Sequence, residues 1–258
     1  MSWMLPEDRT PPVISAESHV RSSHGHAKIV RLPETCVIFE IGMALNWIKS
    51  HFETTLLYDH LPCFLEDPRC ISIQGHPDTC FTRGGYGAPA AVDTLETVRA
   101  LGIRRVIIAG MCGGFSEDIS VSDVVIPRRV KCEEGTSQHY FSGIEYAEPD
   151  PALFERATAH FASRFPLTTH PTVTCDAVYR QTYAKEAAWR EAGCVGVDME
   201  SSALLAVARY HSLPAVSILL CSDRHPLTQG AAAWDWGDAN FEKAREAFIR
   251  ECVSFAIQ

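Results

Sequence analysis

The 258-residue chain has no excess of basic charge, no C-x-x-C pair, no membrane-length apolar run and no internal repeat. Each absence removes a class of function. With 23 Lys and Arg against 32 Asp and Glu, the formal net charge is -9. This argues against a nucleic-acid groove or an anionic membrane surface as the main partner. It leaves room for a small anion, because single arginines or backbone amides can bind phosphate inside an acidic protein. The first residues carry no apolar core of a secretory leader, so the expected compartment is the cytoplasm. The ten cysteines, from Cys36 to Cys252, often lie in apolar runs such as 36–39 and 218–221. They read as small buried hydrophobes and not as a disulfide framework.

What is present is an ordinary globular composition, 46% hydrophobic, in a length that fits one large domain with a substantial core. Residues 1–33, rich in Pro, Ser, His and charge, are expected to form a flexible N-terminal arm, with a single domain over 34–258. His19, His24 and His26 have no carboxylate or cysteine at ligand spacing, so no metal site is expected.

From residue 35 short β-branched runs alternate with helical patterns, as in an α/β sheet. Strands are expected over 35–41, 70–74, 78–82, 105–109, 123–127, 172–175, 196–198 and 215–221. Helices are expected after the first strand (Leu45, Ile48 and Phe52 on one face) and from Pro89 to 102. Others follow over 151–165, 184–192 and 200–211, and one capped by Asp238 runs to 256.

Three clusters stand near expected strand ends, where open α/β sheets place ligands. Gly110-Met111-Cys112-Gly113-Gly114 lets backbone amides approach a ligand, or serves turn geometry alone. Asp198 and Glu200 alternate along a strand end and so project to one side. Either they accept hydrogen bonds from a sugar diol or they complement a helix dipole. Cys221-Ser222-Asp223-Arg224-His225 follows a buried apolar run, either as a functional cluster or as a solvated turn.

In this order the chain resembles the nucleoside phosphorylase-I family, the uridine and purine nucleoside phosphorylases and their hydrolytic relatives. Gly85-Tyr86-Gly87-Ala88-Pro89 resembles its glycine turn, and VIIAGMCGGFSEDISVSDVVIP (106–127) its phosphate-loop strand. GVDMESSALLAVA (196–208) is similar to its Met-Glu motif, and Ser222-Asp223 to its catalytic aspartate. The resemblance implies a three-layer α/β/α sandwich around a central mixed twisted sheet, and cleavage of a nucleoside N-glycosidic bond. It implies no cofactor, phosphate as co-substrate, and a homo-oligomer, dimer or hexamer. Asp223 would protonate the leaving base, and Met199 and Glu200, after Val197, would line the ribose. Tyr86 would touch the sugar, Val178 and Tyr179 the base. Gly110, Met111, Cys112, Gly113 and Ser222 would complete the floor. Arg180 and Gln181 are candidate contacts to the base edge. Asp223 would need a raised pKa, which burial favours and Arg224 opposes. Trp234-Asp235-Trp236 is either an aromatic lid or a packed helix leader.

The chain departs from the family at its phosphate ligands. Where the family has Gly-Asp-Pro-x-x-Arg, this chain has 39–44, Phe-Glu-Ile-Gly-Met-Ala. No arginine precedes the glycine cluster, and Met111 replaces a Ser or Thr. Three readings stay open: a hydrolase in which Glu40 activates water; a phosphorylase that borrows Arg69, Arg83 or Arg128 from a neighbouring subunit; a scaffold recruited to other chemistry or ligand sensing.

Overall fold

The structure is a computed structural model that describes residues 10–22, 29–65, 68–231, 234, 236 and 241–258. In chain order the elements are α1 (Ala16–His19), β1 (Thr35–Phe39), α2 (Ala44–His51), β2 (Thr54–Tyr58), β3 (Cys70–Ile73), β4 (Thr79–Arg83), α3 (Ala88–Ala100) and β5 (Arg105–Gly114). They continue with β6 (Val124–Val125), β7 (Val130–Glu133), α4 (Thr136–Tyr140), β8 (Tyr146–Ala147), α5 (Pro151–Ala162), β9 (Leu167–Thr168) and β10 (Thr172–Cys175). After a 3-10 turn at Val178–Arg180 come α6 (Tyr183–Glu191), β11 (Gly196–Asp198), α7 (Ser201–Tyr210), β12 (Ala215–Arg224) and α8 (Phe241–Ala256).

The sheet runs β2-β3-β4-β1-β5-β11-β10-β7-β8, with β12 also paired to β5 and to β6. β1 is parallel to both β4 and β5, and β12 is parallel to β5, whereas β11 meets the tip of β5 antiparallel. The sheet is therefore mixed. Strands parallel to their neighbours are covered on both faces, and β1 is buried at every position. Its side chains alternate accordingly. Cys36 and Ile38 pack with α3 residues Val92 and Leu95 and with α7. Val37 and Phe39 pack on the other side with Ile48 of α2, Phe161 of α5 and Phe248 of α8. Helices thus lie on both faces, which makes the three-layer sandwich expected from the sequence. Each fully buried Phe contributes about 1.5–3 kcal/mol of transfer free energy.

The segment expected as an arm is not wholly free. Ser15 caps α1 in a reciprocal capping box, Glu17 pairs with Arg99 of α3 at 2.7 Å, and His19 stacks on Phe64. Residues 1–9 and 23–28, with His24 and His26, lie outside the described residues, as does the expected cap Asp238.

Two strands run further than their apolar runs suggest. β5 extends through the glycine cluster to Gly114, because β12 pairs with it along its whole length. β12 likewise continues past Cys221, with a register shift between Cys221 and Asp223. That bulge turns Ser222 and Asp223 out of simple alternation, and both remain buried.

Candidate active site

The paired ends of β5 and β12, the start of α7 and the 178–183 segment enclose a cavity of about 610 Å3. The volume suits a nucleoside-sized ligand. Glu40, at the end of β1, also faces it, and Tyr86, Trp234 and Trp236 stand half-exposed or more at its rim.

Glu200 reaches the cavity from the residue before α7. Its carboxylate accepts a hydrogen bond from the Gly87 amide at 2.8 Å, joining the Met-Glu segment to the glycine turn. Gly87 has a φ of +85°, a conformation that strains any residue with a Cβ. Burial first, then the charge of Asp198, pushes the Glu200 carboxyl up to about 8. Asp198 does not stand free beside it. It accepts from Thr174 Oγ1 at 2.5 Å and from the Ser201 amide at 2.9 Å, so it ties β10 to the first turn of α7.

Asp223 is held differently from the sequence expectation. Arg224 turns away and donates to the Ser116 carbonyl at 3.1 Å. The cation at Asp223 is His225, whose Nε2 lies 3.3 Å from Oδ2. Ser222 donates to Oδ1 at 2.5 Å and the Trp234 indole to Oδ2 at 2.7 Å. Burial raises the Asp223 pKa, but the hydrogen bonds from His225, Ser222 and Trp234 outweigh it and hold the carboxyl below its ordinary value. The raised pKa that a general acid at this position would need is therefore absent: these three neighbours favour the carboxylate.

In the sequence His225 is only the end of the 221–225 cluster, with no role of its own. Its Nδ1 faces Glu186 Oε1 at 2.6 Å, a contact between positions 39 residues apart. Burial pulls its pKa down, while Asp223 and Glu186 push it up to about 9. No local pattern signals that pairing. Glu186 looks like an ordinary first-turn acid of α6, whose start Thr182 caps.

Glu40 lies over Gly84, where any side chain would overlap its carboxylate. Gly110 does not line the cavity, contrary to expectation: a Cβ there would meet Leu219 at 3.1 Å and Glu40 Cβ at 3.6 Å. Its glycine makes room for neighbours rather than for ligand. Arg180 is corrected too; it lies exposed at the end of the 3-10 turn and outside the lining, whereas Gln181 lines the cavity. Tyr86, Met111, Cys112, Gly113, Val178, Tyr179, Val197, Met199 and Ser222 line it with Glu200 and Asp223.

Among the described residues the lining holds five acidic side chains, Glu40, Glu186, Asp198, Glu200 and Asp223, and neither Arg nor Lys. Arg69 and Arg83 line a second cavity with Lys49, and Arg128 bonds to Thr169. No group of three or more His, Cys, Asp or Glu among the described residues is placed to hold a metal.

A sheet that delivers these motifs to one cavity has a counterpart among known families. The sequence model of the phosphorylase superfamily matches residues 63–255, most of the chain. The chain belongs to the phosphorylase superfamily. Within it, a DeoD-type purine nucleoside phosphorylase of Brevibacillus brevis is 30% identical over 185 residues, 69% of this chain and 74% of the relative. One from an Exiguobacterium species is 28% identical over 190 residues, 72% of this chain and 73% of the relative. A guanosine phosphorylase of Halorubrum lacusprofundi is 32% identical over 136 residues, 52% and 56%. The fold matches solved superfamily structures. The purine nucleoside phosphorylase of Toxoplasma gondii, in complex with immucillin-H, aligns with a TM-score of 0.76 at 15% identity, covering 90% of this chain and 97% of that one. The uridine phosphorylase of Vibrio fischeri aligns with a TM-score of 0.72 at 20% identity, covering 95% and 97%.

Proposed function

We propose that this superfamily member cleaves the N-glycosidic bond of a nucleoside, with phosphate as the accepting co-substrate and no cofactor. The observation that carries the proposal is the meeting of Glu200 and Asp223 in one nucleoside-sized cavity. Breaking the C–N bond sends its electron pair to the base and leaves an oxocarbenium-like sugar. The base then needs a proton and the sugar needs nearby negative charge. Asp223 faces the leaving base, and Glu200 grips the sugar hydroxyls beside Met199. A positioned acid supplies about 10²–10⁴-fold. Tyr86, Val178 and Tyr179 close over sugar and base. The names of the relatives make a purine nucleoside the first substrate to test.

The cavity's charge favours hydrolysis as a second reading. The acidic lining has neither Arg nor Lys among the described residues, and its cation His225 is already held between Glu186 and Asp223, which disfavours a phosphate dianion; Glu40 lines the same cavity and would take a proton from water. A phosphorylase would then need Arg69 or Arg83 from another subunit. Product analysis with and without phosphate separates the two. Sugar 1-phosphate formed only with phosphate supports phosphorolysis, whereas free sugar at an unchanged rate supports hydrolysis through Glu40.

No helix among the described residues is long and apolar enough to cross a membrane, and all ten cysteines are free thiols, which fits a reducing cytoplasm. We also take residues 34–258 as one domain and the assembly as a homo-oligomer.

A further inference from the structure

Asp223 as it stands has no proton to give. Oδ1 accepts from Ser222 and Oδ2 from Trp234, and the His225 ring lies 3.3 Å from Oδ2, an arrangement that suits a carboxylate rather than an acid. The leaving base still requires one. His225 is the imidazole in the same cavity, and each of its ring nitrogens faces a carboxylate: Nδ1 Glu186 at 2.6 Å, Nε2 Asp223 at 3.3 Å. Two acceptors on opposite sides of one ring select the doubly protonated imidazolium.

The ring is fixed by its surroundings. A Cβ on Gly113 of β5 would come within 2.5 Å of Nε2, so the ring fills the space that a side chain there would occupy. Glu186 is buried in the first turn of α6. Lys185, beside Glu186 on α6, pairs with Glu133 at 3.5 Å. Arg190, one turn beyond Glu186 on α6, donates to the carbonyls of Phe115 and Leu227, and Arg224 of β12 to that of Ser116. Neither cation competes for Asp223 or Glu186 in these bonds.

We propose that His225, gripped by Glu186, is the proton store of the reaction and that Asp223 is its conduit. This rests on the glycosidic reading above. As the C–N bond breaks, a proton passes from His225 Nε2 to Asp223 and from Asp223 to the departing nitrogen, which holds the bond's electron pair. Asp223 ends as the carboxylate it began as, and His225 ends neutral. The proton released by the attacking water or phosphate, or one from solvent, restores the imidazolium. Glu186 is a positioning residue that acts through His225.

The test compares a purine nucleoside with 4-nitrophenyl riboside, whose nitrophenolate departs without a proton. In His225→Gln the nucleoside kcat should fall about 10²-fold or more, with KM changed by no more than a few fold. Cleavage of the nitrophenyl riboside should survive within a few fold. Equal loss on both substrates, or loss on neither, overturns the proposal. A second readout needs no turnover and so separates this inference from the glycosidic reading: the NMR titration of His225 in the substrate-free protein. It should titrate near 9 in the wild type, and in Glu186→Gln it should move toward the ordinary histidine value of about 6.5. A wild-type His225 titrating at the ordinary value overturns the proposal.

Discussion

Replacing Asp223 with Asn keeps the shape and one acceptor oxygen, for either Ser222 or Trp234, but removes the second carboxylate oxygen and with it the proposed proton conduit. Base release should fall about 10²–10⁴-fold, while nucleoside binding, read by calorimetry, stays within a few fold. Glu200 gives a prediction of different sign. Its carboxyl is raised to about 8 in the folded protein from an ordinary 4.5. Above the ordinary value the unfolded chain gives up this proton while the folded protein keeps it. The contribution to stability is thus full below about 4.5 and lost as pH rises through about 8. Glu200→Gln, which imitates the protonated form, should flatten the decline in Tm between pH 5 and 8, and should raise KM for nucleoside. A Tm profile parallel to that of the wild type would remove the argument. These two residues were legible because each sits in a local motif. His225 lies in the same local cluster, but its role is not legible there, because it depends on Glu186, which the fold brings near from 39 residues away.

Within the elements, glycine decides where side chains can lie. Gly113→Ala should push the His225 ring off its site. Nucleoside turnover should drop at least tenfold, by about 1.4 kcal/mol or more in barrier, while thermal melting shifts by only a few degrees. Core contacts behave oppositely. Phe161 of α5 packs its ring 6.1 Å from Phe248 and 6.2 Å from Phe255 of α8. Phe161→Ala should cost about 3–5 kcal/mol in urea unfolding and leave KM unchanged in the fraction that stays folded. β10, β11 and the ends of most helices are legible in the sequence to within a few residues, because β-branched runs and capping residues announce them. β5 reads as ending at Ala109, since clustered glycines look like a loop; the long parallel pairing with β12 keeps them in the strand. β2 is not legible, because this half-exposed strand at the sheet edge, Thr54–Tyr58, lacks clean alternation.

For the whole molecule, three layers converge on one acidic cavity. The acidic residues behind the net charge of -9 are not spread evenly, because five of them among the described residues line one cavity, with Glu200 held largely protonated by burial and Asp198. On the proposed reaction that concentration would stabilise the bond-breaking state and work against phosphate, so the same electrostatics would govern both the rate and the choice of nucleophile. The fold was legible through the order of its motifs, while the absence of a guanidinium from the lining required the assembled cavity. The measurement that bears most directly on this account is base release from a panel of purine and pyrimidine nucleosides, with wild type and Asp223→Asn side by side. The account predicts release of free base from at least one nucleoside by the wild type and its loss in the variant. No release from any nucleoside, or full turnover by Asp223→Asn, would contradict it.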